Sequence, residues 1–179
     1  MVKWTTISRP LPHGERRDQL GEGITYGPED DGLYWVDILG QRVQRFGLTD
    51  GTYREWAMPE MIGWLLPRAN GRGFIAGLKS GFYDLSLDPF SLRLIAAPEP
   101  DLPDNRLNDA AVDPQGHIWA GTMCMGGTRA DGALYRLDPD RSWHRMDAPY
   151  RIANGPTVSP DGHFLYHTDS AEGQVYKIG

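Results

Sequence analysis

Four side chains in this chain could do chemistry together: Glu22 in Leu-Gly-Glu-Gly, Asn108 in Asn-Arg-Leu-Asn-Asp and Asn154 in Ala-Asn-Gly-Pro, which stand at matching places, and Arg106 beside Asn108. A carboxylate and two amide oxygens drawn to one spot make a hard, oxygen-rich set, suited to Ca²⁺, Mg²⁺ or Mn²⁺, with Zn²⁺ as a further option. Arg106, two residues before Asn108, would add a fork of donors for substrate hydroxyls or a carboxylate. No thiolate or imidazole cluster competes for the metal. Cys124 is the one cysteine and has no neighbouring base, and the Met123-Cys124-Met125 stretch reads as loop or packing. His163 and His167 stand four apart, a spacing that clamps a metal on a helix but not on a strand, so both read as structural. Each of the four polar residues also has a plainer reading. Asn154-Gly155 and Asn108-Asp109 are turn dipeptides, Glu22 between two glycines could be a solvated charge, and Arg106 a surface cation.

Their shared place in a repeat favours the site. Turn glycines at 32, 71, 116 and 162 are spaced by 39, 45 and 46 residues. After each comes a short apolar strand (33–36, 74–76, 118–120, 164–166), then a third strand of alternating character (43–46, 82–85, 134–137, 175–178). A fourth, outer strand follows in three of the units, at 53–57, 92–96 and 143–146. Units of about 40 to 50 residues with four antiparallel strands each are the pattern of propeller blades. The alternative is a β-sandwich, which gives no reason for one four-strand grammar to recur in register. In a propeller the inner strands begin near one axis, so counting back from each turn glycine brings Glu22, Met61 or Ile62, Asn108 and Asn154 together. The chain is thus expected to be one all-β domain over 1–179, with a segment 1–19 holding a strand candidate at 4–7, and blades near 20–59, 60–99, 105–149 and 150–179.

Composition bounds the partners. The 179 residues are 40% hydrophobic, enough for one core, and the 22 Gly and 14 Pro are spread along the chain, as many tight turns between short strands require. Eighteen basic against 24 acidic residues leave a net charge of −6, which gives nucleic acid no general electrostatic hold. A lone cysteine cannot form an internal disulfide, the opening residues lack the apolar run of a signal peptide, and apolar runs such as 64–66 fall far short of the ~20 residues that span a bilayer. The expectation is a cytoplasmic protein with no membrane or nucleic-acid partner, its oligomeric state open.

Taken in order, Leu20-Gly-Glu-Gly23, Tyr34-Trp-Val-Asp-Ile38, Asn105-Arg-Leu-Asn-Asp109, Ala120-Gly-Thr-Met123, Gly132-Ala-Leu-Tyr135, Ala153-Asn-Gly-Pro156 and Tyr166-His-Thr-Asp-Ser170 resemble the gluconolactonase/regucalcin (senescence-marker-protein) family of six-bladed propellers. That resemblance implies a lactonase, dependent on one divalent cation, Ca²⁺ foremost, that opens small-molecule sugar lactones to sugar acids. It implies Glu22 and Asn154 as metal ligands and Arg106 and Asn108 as substrate contacts. The family's water-activating aspartate, also a metal ligand, belongs to the fifth blade. Inner-strand starts advance by roughly 40 to 46 residues, which puts that aspartate near position 200, beyond Gly179, so no catalytic residue in that role is expected within the chain. A further family glutamate has no counterpart in the loop 127–131. At about 40 to 50 residues per blade, 179 residues give somewhat under four complete blades of six, an incomplete ring. The reading from another class is a non-catalytic propeller fragment that binds a metal or ligand, or serves as an interaction scaffold.

Overall fold

In the computed structural model, residues 17–69 and 71–179 are described. The strand candidate at 4–7 lies outside them. The described residues form fifteen strands in four sheets, in strict chain order: β1 (Gly21–Gly27), β2 (Gly32–Asp37), β3 (Arg42–Gly47) and β4 (Tyr53–Ala57) make the first. The second is β5 (Ile62–Pro67), β6 (Phe74–Leu78), β7 (Gly81–Leu87) and β8 (Phe90–Ala96). The third is β9 (Asn105–Val112), β10 (Ile118–Cys124), β11 (Gly132–Leu137) and β12 (Trp143–Tyr150), and the last is β13 (Ala153–Val158), β14 (Leu165–Asp169) and β15 (Gln174–Ile178). Every pair is antiparallel between chain neighbours.

Local sequence explains the strands. β2 and β14 alternate buried and half-buried side chains, the period of two that a sheet packed on both faces but less tightly on one imposes. The turn Asp113-Pro-Gln-Gly116 closes because Asp113 Oδ1 accepts the N–H groups of Gln115 and His117, at 3.0 and 2.9 Å. The outer strands β8 and β12 run longer than their apolar residues alone suggest, since ladder pairing continues through exposed polar residues. The single helical turn among the described residues is Met125–Gly127. Gly179 directly follows β15 and belongs to no strand; a Cβ there would stand 3.1 Å from the Phe164 ring, at the outer turn of the fourth blade.

The core is serial. Val36, Val43, Ile62, Leu65 and Leu78 pack between the first and second sheets; Trp64, Phe82, Leu107 and Ala120 between the second and third; Leu134, Tyr150, Ala153 and Leu165 between the third and fourth. A β-sandwich would bury one interface between two sheets. Three successive interfaces among four sheets, with β1 beside β5, β5 beside β9 and β9 beside β13, make an all-β propeller-like fold of four blades.

Candidate active site

All four inner strands break register at the same place. Glu22 pairs with Val36, Ile62 with Leu78, Leu107 with Thr122 and Asn154 with Thr168, and immediately after each of these pairs the ladder slips. Such a bulge puts extra residues on one strand and re-aims their side chains. Glu22 and Asn154 therefore hold equivalent positions. Counting from the turn glycines puts Asn108 in that phase as well; the register gives it to Leu107, with Asn108 one residue further on, inside the bulge. The count fails by one because turn lengths differ, ten residues from Glu22 to Gly32 but eight from Asn154 to Gly162. In the second blade the position is Ile62, fully buried. There the bulge also lets strands approach closely, for a Cβ on Gly63 would stand 2.6 Å from the Asn108 carbonyl oxygen.

The two blades that carry Glu22 and Asn154 anchor the entry to their inner strands in the same way. Asp37, fully buried, accepts the N–H groups of Leu20 and Gly40, each at 3.0 Å, and of Gln19 at 3.2 Å, and pairs with Arg42 at 2.7 Å. Asp169, also buried, accepts those of Arg151 at 2.7 Å and of Ile152 and Ala171, each at 3.1 Å. Burial by itself would raise both carboxyls, but the N–H donors, with Arg42 in the first case, outweigh it and hold each below the ordinary aspartate range. These aspartates end the Tyr-Trp-Val-Asp and Tyr-His-Thr-Asp motifs, and their work as clips on the segments before Glu22 and Asn154 is not evident from spacing.

Arg106 and Asn108 lie between these blades. Arg106 is buried, and its Nη1 donates to the Leu107 carbonyl at 3.1 Å and to Asn108 Oδ1 at 2.8 Å. Burial pulls the guanidinium pKa down, and the Glu22 carboxylate opposes that pull, which places Glu22 within electrostatic reach of Arg106. Asn108, buried too, donates through Nδ2 to the Ala153 carbonyl at 3.0 Å, so both ends of its amide are engaged within the protein. Its neighbour Asp109 accepts the N–H of Ala110 at 2.8 Å and of Gly155 at 3.0 Å; burial raises its carboxyl, against those two bonds. On β13, Asn154 Nδ2 donates to Ser170 Oγ at 3.2 Å, and Oδ1 accepts the Gly155 N–H at 2.9 Å. Gly155 sits at φ +58°, a left-handed conformation that its lack of Cβ permits.

Among the described residues no three His, Cys, Asp or Glu side chains gather to hold a metal ion. What the site offers is one exposed carboxylate, Glu22, which accepts no hydrogen bond from them, and the Asn154 oxygen, which keeps a lone pair. This donor set fits a hard cation in chemistry and supplies a single formal charge. In the loop 127–131 no glutamate appears; Arg129 instead ties Asp104 and Asp131. A glutamate that sequence reasoning passes over is Glu99, which gathers Thr122 Oγ1 at 2.8 Å, Asn105 Nδ2 at 2.9 Å and the Tyr135 hydroxyl at 3.0 Å beneath β9. His167 and Cys124 are buried in strands, as packing residues are, and the described residues contain no helix long and apolar enough to cross a membrane.

Known proteins share this architecture. The chain is 34% identical over 158 residues to 6-deoxy-6-sulfogluconolactonase of Pseudomonas putida (88% of this chain, 54% of that protein). It is 34% identical over 167 residues to L-arabinolactonase of Azospirillum brasilense (90% and 55%). Among solved structures, a calcium-binding protein, regucalcin, from Agrobacterium tumefaciens superposes with a TM-score of 0.83 at 28% identity, over 89% of this chain and 53% of that one. The chain thus spans about half the length of the relatives it matches. With residues 20–179 matching the family model for the SMP-30/gluconolactonase/LRE-like region, the chain belongs to that family.

Proposed function

We propose that this chain builds the metal and substrate side of a divalent-metal-dependent sugar lactonase. The observation that carries the reading is the equivalence of Glu22 and Asn154 at the bulges of β1 and β13. Glu22 and Asn154 would hold one divalent cation, Ca²⁺ foremost, and when bound the cation would supply Lewis-acid polarisation of a lactone carbonyl. Arg106 keeps guanidinium donors beyond the two bonds of its Nη1, and these would hold substrate hydroxyls or the carboxylate of the opened acid. Asn108 would act chiefly by fixing the Arg106 fork, its remaining oxygen lone pair being open to a substrate hydroxyl. Relatives named as lactonases support the substrate class. By the same resemblance the four blades would belong to a six-bladed ring, with water activation assigned to a fifth-blade aspartate and to no residue of 1–179, while the lone cysteine favours the cytoplasm.

A second reading, metal or ligand binding without turnover, draws on Asp109. It is the carboxylate next to Asn108 in the chain, and each of its oxygens accepts a backbone N–H, from Ala110 and from Gly155, which suits it to holding backbone. Proton release on opening of sugar lactones, followed with and without chelator, separates the two. The lactonase reading predicts little turnover by the 179-residue chain and chelator-sensitive turnover once any downstream sequence of its gene is included. Hydrolysis indifferent to chelator, or none in the longer chain, contradicts it.

A further inference from the structure

The Gly155 N–H is shared. It donates to Asn154 Oδ1 at 2.9 Å and to Asp109 Oδ2 at 3.0 Å, a three-centre bond that joins β13 to the bulge of β9 in the neighbouring blade. We propose that Asp109 is a positioning residue for Asn154: it retains the Gly155 N–H, so the Asn154 oxygen can turn to a cation without leaving that donor unpaired. The inference rests on the reading of Asn154 as a metal ligand and adds a residue to it.

Three features make Asp109 suited to the task. Its second oxygen accepts the Ala110 N–H at 2.8 Å, which fixes the plane of the carboxylate. An ionised acceptor bonds an N–H more strongly than an amide oxygen does, so the shared donor has a better partner in Asp109 than in Asn154. Asn108, one residue earlier, donates to the Ala153 carbonyl at 3.0 Å, so consecutive residues of β9 grip the backbone on both sides of Asn154. The Asn154 amide is oriented from its other end by Ser170 Oγ, which takes Nδ2 and leaves Oδ1 as the movable contact. An unshared bond from Gly155 would instead make ligation cost that N–H its only acceptor in the protein.

Calcium titration of the full 179-residue chain, with circular dichroism to confirm folding, tests this in four forms: parent, Glu22→Gln, Asp109→Ala and Asp109→Asn. We expect Asp109→Ala to weaken calcium binding about tenfold, the loss of roughly one hydrogen bond's worth of preorganisation, and Asp109→Asn, which still offers an acceptor oxygen, to stay within about threefold of the parent. Equal affinity in the parent and Asp109→Ala, with Glu22→Gln weakened, overturns the proposal and leaves the metal site standing. Equal loss in the alanine and asparagine variants also overturns it, because charge or direct ligation would then be at work. A parent that binds no calcium overturns the metal site and the proposal together. Should the variants not fold, amide exchange at Gly155 in the parent decides: protection unchanged on saturation with calcium supports the proposal, and acceleration beyond about tenfold refutes it.

Discussion

The first and fourth blades differ from the second in how they fix the same bulge. In the second, Ile62 and Trp64 flank it, both buried, with Trp64 against Phe82 at a ring separation of 6.0 Å, so the strand is held by its own packing. In the first and fourth the equivalent residues are Glu22, exposed, and Asn154, half-buried and hydrogen-bonded to Ser170 and Gly155, neither of them an apolar anchor. Those blades hold the entry to the strand with Asp37 and Asp169, buried carboxylates that collect backbone N–H groups. A polar residue at this position therefore comes with a second polar residue that does the anchoring. The third blade stands between the two solutions, with Leu107 packed at the position and Asn108 and Asp109 projecting from the bulge to the next strand.

Truncating the packed anchor should have the largest effect. Trp64→Ala is expected to cost about 3–5 kcal/mol in urea unfolding, the loss for a large buried aromatic, while Trp64→Phe should cost far less, because the indole N–H is buried without a partner. A small loss for the alanine variant would mean that packing does not hold the second blade's bulge. Removing a polar anchor comes next: Asp169→Ala strands the N–H groups of Arg151, Ile152 and Ala171 and should cost about 3 kcal/mol. If that variant unfolds at the parent's urea midpoint, the clip is ornamental and the contrast between blades fails.

The fourth blade should also be the acid-sensitive one. His167 is buried between Tyr150 and Tyr176, at centroid distances of 4.8 and 5.1 Å, with neither ring nitrogen bonded. Burial depresses its pKa below the ordinary 6.5, against the Asp147 charge, the Thr168 backbone and the Asp169 charge. As pH falls through the ordinary value the unfolded chain gains a proton that the fold refuses, so stability that is full above it is lost below, by at most about 1.4 kcal/mol per pH unit. His167→Phe should flatten that slope between about pH 7 and pH 5; identical slopes in parent and variant would contradict it. The smallest change in stability is expected for Glu22→Gln, within about 0.5 kcal/mol, since the side chain is exposed. A large loss there would show that Glu22 supports the fold instead of standing ready for a ligand.

Most of the architecture is written in local signals. The turn glycines and the apolar triplets after them lie where the second strands form, and the alternation at Val43–Phe46 or Leu134–Leu137 lies within β3 and β11. Glu22 and Asn154 are equivalent in the structure as in the sequence count, because both directly precede a bulge glycine, Gly23 or Gly155. The count misplaces Asn108 by one, since a bulge adds residues without marking them and turn lengths vary between blades. The anchoring of Asp37 and Asp169, the shared N–H of Gly155 and the collecting role of Glu99 each include contacts across 6 to 46 positions of sequence, which no periodicity records.

The polar bulges of the first and fourth blades should form a cation site, and the packed bulge of the second should not. Paramagnetic broadening by Mn²⁺ in amide spectra of the full chain tests this directly. The amides of Gly23 and Gly155 should fade first, those of the outer strands β4, β8 and β12 should persist, and Glu22→Gln should abolish the pattern at the same Mn²⁺ concentration. Broadening centred on the acidic outer turns around Asp30 and Asp50, or unaltered by Glu22→Gln, would contradict it.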